Sequence, residues 1–149
     1  MKQQIQKDLI KSFFKQKKEY KLSSFGCSMS PIINQTNTVV FDLNSPELSV
    51  GDIVFFRGEK MPFVAHRLIE ISVKGKSKQY LTKGDNLKVP DKWIDEADIY
   101  GRAIRIVKKN YTIDLNNEFW KLSGIFIISC PIFQKLLSFG CSIYNKLRI

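Results

Sequence analysis

Histidine is almost missing from this 149-residue chain, which carries a single one, His66. The three cysteines, Cys27, Cys130 and Cys141, are scattered, so with one histidine they make no usual zinc set and no metal site is expected. An odd number of cysteines without regular spacing also excludes a disulfide framework and fits a reducing compartment. No glycine-rich phosphate loop of the P-loop or dinucleotide type is present, and no cofactor is expected. Acidic residues are scarce, 14 against 24 Lys plus Arg, for a net charge of +10. That balance attracts polyanions, either nucleic acid or an anionic lipid surface, and carries no information about fold. Uninterrupted apolar runs of the roughly 20 residues that a membrane-spanning helix needs are absent too. Met1 to Lys21 is too charged to hold the apolar centre of a cleavable secretory signal, so none is expected.

What remains is ordinary globular material. The hydrophobic content of 44% and the length fit one domain able to bury a real core. Ile5, Leu9, Ile10, Phe13 and Phe14 recur at helical spacing among lysines, which predicts a basic amphipathic helix over 1–21. Such a helix packs on the domain's own core or lies on an anionic membrane. Over 22–117 the period turns strand-like. Thr38–Leu43, Asp52–Phe56, Phe63–Ile71, Gln79–Lys83, Ile99–Val107 and Tyr111–Leu115 are rich in β-branched and aromatic residues. Lys74-Gly75-Lys76-Ser77 reads as a hairpin turn between two of them. The pattern predicts a mainly β domain, a coiled sheet or partly closed barrel, with flanking helices at both termini. Over 118–149 the chain becomes apolar again, from Leu122 and Ile125–Ile128 to Ile132, Phe133, Leu136, Leu137, Phe139 and Ile143. Pro131, Gln134 and Lys135 interrupt it. Two short helices, in a membrane interface or packed on the sheet, fit better than a span.

One polar stretch stands out, Ser23-Ser24-Phe25-Gly26-Cys27-Ser28-Met29-Ser30-Pro31. Gly26 allows a sharp bend just before Ser28, and Pro31 restricts the chain beyond it. A hydroxyl on a stiff turn beside exposed backbone N–H groups suits a nucleophile, although an ordinary serine-rich loop would look alike. A serine needs a base within hydrogen-bond reach, and His66 is the only imidazole available. Alternation places His66 on one strand face with Val64 and Leu68, where a core histidine would also sit. Asp85 and Asp91 are the carboxylates able to orient it, and Cys27 is a rival nucleophile.

The order of short boxes adds to this. Ser28-Met29 is followed by Gly51-Asp52-Ile53-Val54-Phe55-Phe56, Val64-Ala65-His66-Arg67, Lys83-Gly84-Asp85-Asn86 with Asp91, and Gly101-Arg102-Ala103-Ile104. In this order they resemble the type I signal peptidase family, most of all its Ser/His branch of endoplasmic-reticulum and archaeal enzymes. The resemblance covers about Phe25 to Val107. It implies a mostly β catalytic core, Ser28 as nucleophile, His66 as general base and Asp91 as the third member. Asp85 would then hold its loop in shape, with Asp85 in the triad as the alternative. It also implies an oxyanion hole that includes the Ser28 N–H. Many family members add a serine two places before the nucleophile; here that position is Gly26, so the second donor stays open between Ser24 and another backbone amide. The family usually carries an N-terminal membrane anchor as well, and no such segment is legible here.

The expected activity is a serine endopeptidase that cuts a signal or leader peptide through an acyl-enzyme. Its expected partners are a peptide or precursor protein and an anionic membrane surface, with the protein cytoplasmic or peripheral to the membrane and no nucleic acid bound. The rival from another class is a non-catalytic, basic β-barrel that binds nucleic acid. It would use the positive charge and the strand aromatics Phe41, Phe55, Phe56 and Tyr80.

Overall fold

The computed structural model describes residues 9–130 except 11, 15, 25, 45, 46, 60 and 76. Among the described residues, eight strands form one antiparallel sheet: β1 (Glu19–Ser23), β2 (Thr38–Asp42), β3 (Ile53–Phe56), β4 (Val64–Lys74), β5 (Ser77–Lys83), β6 (Ile94–Asp95), β7 (Ile99–Val107) and β8 (Thr112–Asp114). The order is β1-β2-β7-β3-β4-β5-β6, with β8 beside β7. The fold is therefore mainly β, as the alternation predicts. Register breaks between Val40 and Phe41, Phe55 and Phe56, and Leu68 and Glu70 add local twist, and the sheet curls into a half-barrel. The β4–β5 hairpin closes where predicted, with Lys74 opposite Ser77 and Gly75 at φ +61. A positive φ is open to glycine at no steric cost.

Strand β3 is buried along its whole length because both of its faces are covered. Ile53 and Phe55 point into one cluster with Phe14, Met29, Val39, Phe41 and Tyr100. Val54 and Phe56 point into a second cluster with Leu68, Tyr80 and Ile94. Phe55 is the centre of the first, with the rings of Phe14, Tyr20, Phe41, Phe63 and Tyr100 between 4.6 and 5.8 Å away. Rings at such spacings add to what burial of their area already supplies.

The N-terminal segment departs from expectation in one respect. Leu9, Ile10 and Ser12 to Phe14 are helical, but β1 begins at Glu19, inside the stretch read as helix. Lysines at 17, 18 and 21 hide a strand whose inward residues are Tyr20 and Leu22. As an edge strand it tolerates charge on its outer side. Phe14 is buried in the core while Leu9 and Phe13 are exposed. Ile5 and residues 1–8 as a whole lie outside the described residues.

Helix α1 (Glu118–Ser129) follows β8. Asn117 caps it by accepting the Phe119 N–H at 3.0 Å, satisfying one of the free donors at a helix start. Its inner side meets the sheet at Gly124, where an added Cβ would lie 2.6 Å from the Gly51 carbonyl and 2.8 Å from Arg67 Nη1. Phe119, Leu122 and Phe126 face outward and are largely exposed, while Ile125 is about half-exposed with its side chain against Gly51. The second half of the apolar tail, including Ile132, Phe133, Leu136, Leu137, Phe139, Cys141 and Ile143, lies outside the described residues. Among the described residues, no helix is long and apolar enough to cross a membrane.

Candidate active site

The Ser28 turn hangs between β1 and β2 and is held from below. Gly26 takes φ +99, which frees the chain to reverse just before the serine. Met29, Ser30 and Ile33 are buried, and backbone bonds from Ser30 to Cys27 and from Ile33 to Met29 close the turn. The Ser30–Pro31 peptide is cis. Met29 and Ile33 belong to the core cluster around Phe55, so the position of Ser28 is tied to the packing of the sheet.

His66 sits on β4, buried, with its ring 6.1 Å from that of Phe56 and steeply inclined to it. Its Nε2 lies 3.1 Å from Ser28 Oγ and its Nδ1 lies 2.6 Å from Asp91 Oδ2. With a carboxylate that only accepts at Nδ1, the neutral tautomer that fits both contacts has its proton on Nδ1 and its lone pair on Nε2 facing the Ser28 hydroxyl. The three side chains form one connected relay from hydroxyl to imidazole to carboxylate. Asp91 keeps a partly exposed side chain, at 26%, while that of His66 is 9% exposed. Buried Tyr80 and Tyr100 have phenols pushed above their ordinary range, chiefly by burial, so both stay protonated at neutral pH.

Asp85 is elsewhere. Its two oxygens accept Arg67 Nε and Nη2, each at 2.7 Å, and both side chains are almost fully buried. Arg67 Nη1 also donates to the Gly51 carbonyl at 2.7 Å, beneath Gly124 of α1. The paired forks give the geometry that best offsets the cost of burying two charges. Cys27 is exposed, and it is Ser28 that receives the imidazole.

The Lys83-Gly84-Asp85-Asn86 turn does three jobs. Asp85 grips Arg67, Asn86 N–H donates to the Ser28 carbonyl at 2.8 Å, and Asn86 Nδ2 donates to the Cys27 carbonyl at 3.1 Å. Gly84 permits this approach, since an added Cβ would stand 2.7 Å from the Ser28 carbonyl oxygen. Gly84→Ala is therefore expected to shift the serine turn. A destabilisation of about 1–3 kcal/mol, read by thermal melting, should accompany slower modification of Ser28 by a fluorophosphonate. An unchanged labelling rate would show that the turn is not set by this contact.

The chain matches no protein-family model and no curated protein. Geometry and chemistry therefore carry the functional reading.

Two cavities flank His66. One, of about 440 Å³, opens beside Ser28 and is lined mostly by apolar side chains, among them Met29, Ile33, Phe41 and Phe63, with Ser24 and Gly26 at its rim. The Ser24 amide is already given to the Asn37 carbonyl at 2.9 Å, so what Ser24 itself can offer toward the cavity is its hydroxyl, and the alternative of another backbone amide stays open. The other cavity, of about 690 Å³, lies on the Asp91 side and is lined by both charged and apolar groups. Sequence reasoning missed Arg67, Asn86 and Thr82 as parts of the site. Arg67 and Asn86 sit beside His66 and Asp85 in the sequence, but one-dimensional spacing gives no signal for which backbone or side chain each one meets.

Proposed function

We propose that this protein is a serine endopeptidase of the signal-peptidase-like class, cutting a signal or leader peptide through an acyl-enzyme. The observation that carries the reading is the hydrogen-bonded series Ser28–His66–Asp91, drawn from three separate segments of the chain. Ser28 Oγ attacks the scissile carbonyl carbon as His66 Nε2 takes the hydroxyl proton. Asp91 stabilises the imidazolium that forms. The imidazolium returns its proton to the leaving amine as the C–N bond breaks, leaving the acyl group on Ser28. Water, deprotonated by the same imidazole, then releases the acid. The Ser28 N–H is the first oxyanion donor in this scheme. The apolar cavity beside Ser28 suits an apolar side chain near the cut.

The nucleic-acid reading keeps its positive charge but not its stacking platform, because Phe41, Phe55, Phe56 and Tyr80 are all buried rather than displayed on the surface. The deciding experiment is active-site labelling. A fluorophosphonate should modify the wild type at Ser28 and leave Ser28→Ala unmodified. Equal labelling of both proteins, or of neither, would remove the peptidase reading.

We place this activity at an anionic membrane surface. The outward apolar row on α1 and the net charge of +10 support peripheral binding. Lysines near the bilayer contribute about 1 kcal/mol each and fade with salt, whereas apolar insertion does not. The full chain should float with anionic vesicles at low salt and partly at high salt. The double variant Leu122→Glu, Phe126→Glu should lose the salt-resistant part. If the wild type fails to float at low salt, the surface serves another contact.

A further inference from the structure

Asp91 stands on an irregular stretch between β5 and β6, so no strand of its own holds its carboxylate. Thr82, on β5, does. Its hydroxyl donates to Asp91 Oδ2 at 2.7 Å, the same oxygen that takes the His66 Nδ1 proton at 2.6 Å. The Thr82 carbonyl also accepts the Asp91 N–H at 2.8 Å. Thr82 is wholly buried, opposite Leu68 on β4 and two residues from Tyr80, both members of the second core cluster. A site of that kind ordinarily holds a β-branched apolar residue, because a buried hydroxyl is costly unless bonded. Here its bond goes to the one carboxylate that touches the imidazole.

Resting on the serine-peptidase reading, we infer that Thr82 is a positioning residue that locks the Asp91 carboxylate in the orientation His66 needs. Two donors converge on Oδ2 from different strands, β4 and β5. Rotation of the carboxylate about its last bond would break both bonds at once. Among the described residues, without Thr82 only His66 bonds that carboxylate and resists its rotation. The imidazole then loses a fixed acceptor at the moment its charge develops, when such an acceptor matters most. The hydroxyl acts through Asp91 and touches neither substrate nor the reacting atoms.

The test uses Thr82→Val, which keeps shape and removes the donor, beside Thr82→Ser, which keeps the donor. Thr82→Val should lower kcat roughly tenfold, the scale of a hydrogen bond to a charged group, with KM unchanged. Thr82→Ser should recover most of the rate. Because His66 is the only histidine, its Nδ1 proton gives a single assignable resonance. In Thr82→Val that resonance should move toward its position in Asp91→Asn. An unmoved resonance, or a rate loss shared equally by Val and Ser variants and matched by a fall in Tm, would overturn the inference and leave Thr82 a core residue. Wild-type protein that a fluorophosphonate does not label would overturn the peptidase reading and this inference with it. Wild-type protein that labels normally, with Thr82→Val labelling at the same rate, would overturn the inference alone.

Discussion

Ser28→Ala, His66→Ala and the double variant are expected to fall to one shared residual rate. The hydroxyl cannot lose its proton without the imidazole, and the imidazole has nothing to deprotonate without the hydroxyl. Each group is therefore worth little alone, and the penalties do not add. Loss of either member in triad enzymes costs roughly a millionfold in kcat, about as much as loss of the whole set. Asp91→Asn should sit between, at about 10⁴-fold, because the amide can donate to Nδ1 and stabilise the wrong tautomer. The Ser28 and His66 distances make the expectation specific to these residues. Steady-state cleavage of a leader-type peptide by the three variants, with labelling of Ser28 as a second readout, tests it. A His66→Ala protein that keeps most of its rate would end the proposed mechanism.

Asp85→Asn should do the opposite, sparing the chemistry and damaging the fold. The Arg67–Asp85 pair is almost dry, and removing one charge strands the other beneath α1. Breaking a buried pair in this way costs about 3–5 kcal/mol. In a domain of this size that lowers Tm by roughly 10 °C or more. Arg67→Met alone should cost a similar amount, since Asp85 would keep its charge without a partner. The double variant Arg67→Met, Asp85→Leu should regain much of the loss, because two apolar side chains leave no buried charge. Asp91→Asn, by contrast, should melt close to the wild type, since its carboxylate is part-exposed. Thermal melts of the four proteins, set beside their cleavage rates, test both halves. Should Asp85→Asn keep its Tm and lose its rate, Asp85 would take the role given to Asp91.

Part of this was legible in one dimension. Runs of β-branched and aromatic residues between turn signals announced β2, β3, β4, β5, β7 and β8, because such side chains suit a pleated, packed strand. They could not announce β6, which is two residues long, nor β1, whose lysines look like the polar side of a helix. Gly26 marked the bend before Ser28, and a lone histidine left only one imidazole to consider.

The sequence by itself thus determined the class of fold, the tight turn at Ser28 and the identity of the only imidazole. Tertiary structure decided which aspartate meets it. Asp85 and Asp91 are the same residue type six positions apart on one loop, and spacing cannot separate them. The separation comes from β4, where neighbouring side chains point to opposite faces of the sheet. His66 and Arg67 are such neighbours. Arg67 points toward the face covered by α1 and draws in Asp85, while His66 points the other way and meets Asp91, held by Thr82. Which carboxylate meets His66 is a consequence of strand pleating and of packing between segments distant in the chain.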